Sequence, residues 1–202
     1  MIDYLSLPVD VMAVSKFQPI ENILPLISQG YALFGENRVQ EAVLKWPKLL
    51  EENPQCRLNL IGSLQTNKVR QALQLFDGIE SIDRHRLVDE IIKCRAHEKT
   101  KTTEFLIQVN IGKEPQKSGV MPEAFNDLYS YCIAQDLPIS GVMCIPPAGQ
   151  DPVPFFNQLK AIAQAVNIPV VSMGMSSDYE QAIACGSTRI RLGTALFGAR
   201  IG

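Results

Sequence analysis

The chain has 202 residues, of which 46% are hydrophobic and 20% charged, and its formal net charge is −2. That length and apolar content are sufficient for one domain with a substantial core. The near-neutral charge gives no electrostatic basis for binding nucleic acid or an anionic membrane, so we expect neither partner.

The cysteines and the amino-terminal segment indicate the compartment. The five cysteines lack the short spacing of a zinc or redox site, and only two histidines are present, so we expect reduced thiols and no metal centre. The first ten residues show no basic stretch followed by an apolar run. The longest uncharged stretch, residues 161–177, is interrupted by Gln164, Asn167 and Pro169 and does not predict a membrane span. These features predict a cytoplasmic protein.

Short apolar runs alternate with stretches of helical periodicity along the chain. The runs predict eight strands, at residues 11–16, 33–37, 58–62, 78–83, 104–110, 139–145, 169–174 and 189–193. Gly30, Gly78 and Gly186 are expected to end helices in the left-handed conformation.

The regular alternation of strand and helix predicts the fold class, α/β. It fits either an open doubly wound sheet or a closed (β/α)8 barrel of the TIM type. The last strand is apolar and does not read as an edge, which favours the barrel. No linker or change of composition divides the chain, so residues 1–202 are expected to form a single domain.

Lys16, at the end of the first predicted strand, is the first candidate functional residue. In such barrels the functional face lies at the carboxyl ends of the strands. Strand alternation places Lys16 on the same face as Met12 and Val14. If that face points inward, partial desolvation lowers the pKa of the lysine and frees its amine for imine formation. The alternative is a lysine that merely ends a strand in water.

The turns after the seventh and eighth strands carry glycines and hydroxyls, notably Gly174 with Ser176 and Gly193 with Thr194. Phosphate sites in these barrels form at these two loops, where backbone N–H groups face the anion. The pair of turns therefore predicts a phosphate site. Asp178, like the adjacent Ser177, could instead cap the following helix.

Two arginines of the last strand are expected inside the barrel, because Arg189 and Arg191 alternate with apolar residues. Arg191 lies near the mouth, where it could donate to a ring nitrogen; an ion pair with a carboxylate such as Glu36 is the alternative. For Arg189 we favour an ion pair. An imine-forming lysine, a phosphate site and a ring-nitrogen partner together predict a pyridoxal 5′-phosphate (PLP) pocket, although a Schiff-base aldolase acting on a phosphorylated sugar remains open.

The motifs then point to one family. In order and spacing the chain resembles the pyridoxal phosphate homeostasis protein family, from about residue 11 to the carboxyl terminus. The similar segments are AVSK at 13–16, FGENRVQE at 34–41, IGSLQTNK at 61–68, SIDR at 81–84, NI at 110–111, Glu114 with KSG at 117–119, GVM at 141–143, IPP at 145–147, SMGMS at 172–176, GST at 186–188 and RLGTALFG at 191–198.

The resemblance implies a barrel like the N-terminal domain of alanine racemase, with the cofactor PLP held as a Schiff base on Lys16. It implies a set of cofactor-binding residues: Ser176, Gly193 and Thr194 at the phosphate, Arg191 at the pyridine nitrogen, Asn37 near the ring, and Asn59 and Met143 in the pocket. The implied function is PLP (vitamin B6) and amino-acid homeostasis. The implied partners are PLP, amino acids and PLP-dependent apoenzymes as recipients. Separately, periodicity indicates no interface patch, so a monomer is the default expectation.

Two departures from the family pattern are visible. Family members often have a long helix before the first strand, whereas this chain reaches that strand near residue 11, so we expect a shortened N-terminal helix region. The family also often carries a histidine where Asn59 stands, so a proton-transfer role is lost there.

The same residues argue against turnover. A racemase needs two positioned acid–base groups. Lys16 could be one of these groups. The related racemases supply the second group from another domain. In this chain Asp83 is the only other candidate base at the carboxyl end of a predicted strand. An arginine at the ring nitrogen would not protonate it, which weakens the electron sink. We therefore expect a non-catalytic carrier; the alternative is a small PLP-dependent amino-acid racemase.

Overall fold

The structure, a computed structural model, describes residues 3–198. Strands and helices alternate throughout this range. In chain order they are β1 (Asp10–Val14), α1 (Ile20–Ser28), β2 (Leu33–Glu36), α2 (Val39–Glu52), β3 (Arg57–Leu60), α3 (Val69–Leu75), β4 (Gly78–Ile82), α4 (His85–His97), β5 (Glu104–Val109), α5 (Phe125–Ala134), β6 (Gly141–Cys144), α6 (Val153–Ala165), β7 (Val170–Met175), α7 (Tyr179–Ala184), β8 (Arg189–Leu192) and α8 (Thr194–Phe197). Ahead of β1, these residues form only a 3-10 turn, Tyr4–Ser6.

The strands form a closed parallel barrel, which confirms the predicted fold. Each strand pairs with its neighbour in sequence, and β8 pairs with β1, with Met12 opposite Arg191. Every predicted strand overlaps an observed one. Closure leaves no edge strand, and helices cover the outer face, so the strands are apolar runs buried on both sides. None of the described helices is long and apolar enough to cross a bilayer.

Glycines have two different roles in this fold. Gly30 and Gly186 follow α1 and α7 with φ of +100° and +87°, as predicted for helix ends. The prediction for Gly78 is wrong, because it begins β4. A Cβ atom at Gly78 would lie 2.7 Å from the Asn59 side chain, so the position requires glycine for close packing inside the barrel.

Charged side chains close the amino-terminal end of the barrel. Arg189 Nη1 lies 2.8 Å from Glu80 Oε1 and 2.8 Å from Glu104 Oε2, and its Nη2 lies 3.2 Å from Asp10 Oδ2. Asn59 Nδ2 donates to the same two glutamates, at 3.0 Å each. We call these five residues the barrel floor. They confirm the predicted ion pair of Arg189.

Candidate functional site

A cavity of about 290 Å³ opens at the carboxyl ends of the strands. Six of the eight predicted cofactor-binding residues line it: Lys16, Asn37, Ser176, Arg191, Gly193 and Thr194. The remaining lining residues are Val14, Ile61, Ile145, Met175 and Ser177. The cavity therefore combines apolar walls with a few converging polar groups, which is the usual composition of a small-molecule site.

Lys16 follows β1 directly and reaches the mouth of the barrel. Met12 and Val14 pack with Ile61 in an apolar cluster inside the barrel, so the inward face predicted by alternation is confirmed. Lys16 itself is half-buried and lines the cavity. Its position is not that of a lysine that merely ends a strand in water.

The turn that carries Lys16 has an unusual backbone. Gln18 N donates to Ser15 O at 3.1 Å, which makes Lys16 and Phe17 the two central residues of a tight turn. Phe17 has φ of +62°, in the left-handed region that favours glycine. Strained conformations of this kind cluster at functional sites and persist where the surroundings hold them.

Three charged side chains of the next β–α unit surround this turn. Glu36 ends β2 and is fully buried, and Lys45 of α2 lies 2.7 Å from its Oε1. Lys45 also pairs with Glu41, at 3.1 Å. The alternative in which Glu36 pairs with Arg191 is therefore wrong. We call Glu36, Glu41 and Lys45 the turn clamp; sequence analysis missed this arrangement.

The loops after β7 and β8 are joined at the cavity by Ser176. Its Oγ accepts hydrogen bonds from the backbone nitrogens of Gly193, at 3.2 Å, and Ala195, at 3.1 Å. Gly193 leaves the wall open, since a Cβ atom there would meet nothing closer than 3.9 Å. Asp178 makes no side-chain cap on α7; its Oδ1 instead accepts from Met175 N at 2.6 Å. A hydroxyl and backbone N–H groups thus meet where the phosphate is predicted.

Arg191 is buried beneath the cavity without a carboxylate partner among the described residues. Its Nη1 donates to Ser172 Oγ at 2.8 Å and its Nη2 to Cys144 O at 2.7 Å. Burial lowers the pKa of Arg191, and the nearby charge of Glu80 opposes this change. A guanidinium has five N–H donors, so its capacity exceeds the two bonds described.

Asn37 lies between this cavity and a second one of about 250 Å³, which shares Asn37, Ile61 and Ile145 with it. Within residues 3–198, Asn37 Oδ1 is buried without a hydrogen-bond partner. A buried oxygen in this state is costly. It provides an acceptor that suits a ligand donor.

Asn59 and Met143 do not line the cavity, so their predicted contact with the cofactor stays a prediction. Each lies two residues before a lining residue, Ile61 and Ile145 respectively, and is therefore one layer deeper in the barrel. Both are fully buried. Asn59 belongs to the barrel floor.

Among the described residues that line the cavity, only Lys16 and Arg191 are ionisable. Asp83, the other candidate base, is not a lining residue and lies 2.5 Å from Arg84 Nη1. The five cysteines are free, and burial raises the pKa of Cys132 and Cys144 to about 12. No cluster of metal-ligating side chains occurs within residues 3–198.

Comparison with known proteins agrees with this geometry. The model of the alanine racemase N-terminal domain family matches residues 3–201, so the chain belongs to that family of barrels. The curated relatives include the pyridoxal phosphate homeostasis proteins of Pasteurella multocida, 38% identical over 95% of this chain and 87% of that protein, and of Escherichia coli K12, 36% identical over 95% and 86%. Within the barrels, this chain is a member of the pyridoxal phosphate homeostasis protein family.

Solved structures that are similar to this chain belong to the same kind of barrel. PipY of Synechococcus elongatus PCC7942 without PLP is 34% identical, with a TM-score of 0.86 over 95% of this chain and 93% of that one. PipY with PLP bound is 33% identical, with a TM-score of 0.84 over 96% and 95%. Alanine racemase from Corynebacterium glutamicum shares the fold at 18% identity, with a TM-score of 0.70 over 96% of this chain and 57% of that one.

Proposed function

We propose that this chain, as one domain of residues 1–202, binds PLP in the cavity at the barrel mouth and holds it as a Schiff base on Lys16. The observation that carries the proposal is that one cavity brings Lys16, Arg191 and the polar loops after β7 and β8 together. The PLP-bound structure of PipY and the names of the curated relatives support the same cofactor.

Each end of the cofactor has a matching group in the cavity. When bound, PLP supplies an aldehyde that condenses with an amine and a ring that withdraws electrons. Lys16 Nζ would form the C=N bond to the aldehyde carbon, with loss of water. Ser176, Gly193 and Thr194 would hold the phosphate, and Arg191 would donate to the pyridine nitrogen. Asn37, whose Oδ1 lacks a partner among the described residues, would lie near the ring.

The proposed role is to store and deliver PLP in cytoplasmic vitamin B6 and amino-acid homeostasis, without turnover. Racemisation requires a second acid–base group besides Lys16. Among the described lining residues the only other ionisable side chain is Arg191, whose guanidinium is a poor proton acceptor at neutral pH. An arginine at the ring nitrogen leaves that nitrogen unprotonated and weakens electron withdrawal. PLP-dependent apoenzymes would be the recipients, amino acids the small-molecule partners, and a monomer the working form.

Lys16 is tested by reduction of the complex and peptide mapping. PLP should give a yellow complex, and borohydride should fix the cofactor mass on the peptide that contains Lys16. Lys16→Ala should abolish both signals, whereas the control Lys113→Ala, at an exposed lysine, should retain them. A cofactor mass on another lysine, or on none, would contradict the proposal.

The racemase alternative is tested separately with single L-amino acids in deuterated water. We expect no sustained exchange of the α-proton. Exchange at rates typical of enzymes, on the order of 1 s⁻¹ or faster, would exclude a purely non-catalytic carrier.

A further inference from the structure

We propose that the turn clamp positions Lys16, so that Lys45 and Glu41 control how readily its amine forms the Schiff base. The inference rests on the proposed function, because it concerns the same lysine. The clamp residues are absent from the cavity lining, and we assign them a positioning role.

Lys45 binds the backbone on both sides of Lys16. Its Nζ donates to Ser15 O at 2.9 Å and to Gln18 O at 3.2 Å, and these are the first and last residues of the turn. The side chain of Lys45 is only 9% exposed. The ammonium group of Lys45 therefore fixes both ends of the turn that contains Lys16.

The two glutamates hold the remaining parts of the turn. Glu41 Oε1 accepts from Phe17 N at 2.6 Å, directly after Lys16. Glu36 Oε1 accepts from Ser15 Oγ at 2.7 Å, directly before it, and from Trp46 Nε1 at 3.0 Å. Hydrogen bonds to ionised groups are stronger than those between neutral groups, so the turn is held by its strongest class of contact.

The backbone of the turn explains why such contacts are needed. Phe17 has φ of +62°, a conformation that a non-glycine residue leaves unless its neighbours prevent it. Relaxation at Phe17 would rotate the preceding peptide and move Lys16 away from the cavity. The clamp opposes that relaxation at Ser15, Phe17 and Gln18 together.

Fold stability alone does not account for the arrangement. A buried ion pair such as Glu36 with Lys45 is often no better for stability than apolar side chains of the same volume. An apolar replacement could not bind the carbonyl oxygens of Ser15 and Gln18. The charges are thus suited to fixing the geometry of this turn.

The main test compares Lys45→Met with Lys48→Met, a matched control on the same helix with an 82% exposed side chain. Stopped-flow absorbance measures the rate of Schiff-base formation with PLP. Calorimetry measures affinity for pyridoxamine 5′-phosphate, which fills the same cavity but has no aldehyde. We expect Lys45→Met to slow the reaction at least about tenfold while that affinity stays within about twofold, and Lys48→Met to match the parent.

A second pair of variants guards against misfolding of Lys45→Met. Glu41→Ala removes the acceptor for Phe17 N but keeps the pair of Glu36 and Lys45, and Glu52→Ala is its exposed control. Glu41→Ala should also slow the reaction. In addition, Phe17→Gly placed in the Lys45→Met background should restore part of the rate, because glycine tolerates positive φ without help.

Two results would overturn the proposal: parent-like rates in the folded clamp variants, or a parallel loss of rate and of pyridoxamine 5′-phosphate affinity, which would indicate a structural role only.

Amide hydrogen exchange at Phe17 and Gln18, measured without any cofactor, separates this inference from the proposed function. Faster exchange in the clamp variants supports the clamp even if the parent forms no Schiff base. Unchanged exchange refutes it whatever the cofactor does.

Discussion

At the scale of single residues, Asn59 shows how a polar side chain inside the barrel can serve structure. It is fully buried in β3, and its amide nitrogen donates to Glu80 and Glu104, at 3.0 Å each. Both carboxylates also contact Arg189. Asn59 therefore supplies hydrogen bonds that the fully buried carboxylate of Glu80 and the partly buried carboxylate of Glu104 need beyond those of a single guanidinium.

We expect Asn59→Ala to lower the free energy of unfolding by about 1–3 kcal/mol, because it leaves buried carboxylate oxygens with fewer donors. The affinity for PLP should be unchanged, since the side chain does not line the cavity. Denaturant unfolding and PLP titration measure the two quantities, with Asn157→Ala, at an exposed asparagine of α6, as the control. A large loss of affinity at full stability would instead make Asn59 a cofactor ligand.

At the scale of elements, the loops after β7 and β8 depend on each other. Ser176 belongs to the first loop, yet its hydroxyl accepts from two backbone nitrogens of the second. The register between β7 and β8 shifts between Ser172 and Met175, which displaces the end of β7 relative to its neighbour. The shared hydroxyl joins the two loops across this irregularity.

Replacing Ser176 should therefore affect the phosphate end of a ligand selectively. We expect Ser176→Ala to weaken PLP binding by roughly tenfold to a hundredfold, the usual effect of losing one hydrogen bond to a charged group. Affinity for pyridoxal, which has no phosphate, should stay close to that of the parent. Titration of both compounds measures this, with Ser130→Ala on α5 as the control. An equal loss for both compounds would contradict a phosphate role.

The same elements show what sequence can predict here. Strand positions followed from apolar runs, and alternation placed Lys16 and Arg191 inside the barrel. Alternation could not say how deep Asn59 lies, because depth depends on the tilt and stagger of all eight strands. The clamp was missed although a signal exists: Glu36 falls on the outward, helix-covered face of β2, where a buried carboxylate requires a cation such as Lys45 from the following helix.

At the scale of the whole molecule, the barrel floor links strands that are distant in sequence. Arg189 of β8 contacts Asp10 of β1, Glu80 of β4 and Glu104 of β5. Burial alone would raise the pKa of Glu104, but the hydrogen bond and charge of Arg189, the hydrogen bond from Asn59 and the charge of Arg57 together outweigh burial and hold that pKa below its ordinary value. Closure of the barrel is therefore coupled to the ionisation of this carboxylate.

The coupling predicts how stability depends on pH. A carboxylate whose pKa is lower in the folded state stabilises the protein above its unfolded pKa, and this contribution is lost as the pH falls through the folded pKa. The free energy of unfolding should therefore decrease on acidification below the ordinary glutamate value of 4.5. Glu104→Gln should be less stable at neutral pH and show a shallower acid dependence.

Urea unfolding at a series of pH values measures both effects, and Glu51→Gln, at an exposed glutamate of α2, is the control. An acid dependence equal to that of the parent would show that Glu104 does not contribute to it.

The barrel floor also determines from which side a ligand could reach the cavity. Arg189, Glu80 and Asn59 fill the lower lumen almost without solvent contact, so PLP held on Lys16 as proposed would face water only through the opposite end. Entry and release would then use one opening, which the partly exposed Ile145 lines. A recipient bound at that opening would block entry of the next PLP molecule. Under the proposed function, loading and delivery would therefore exclude one another at one face of the molecule.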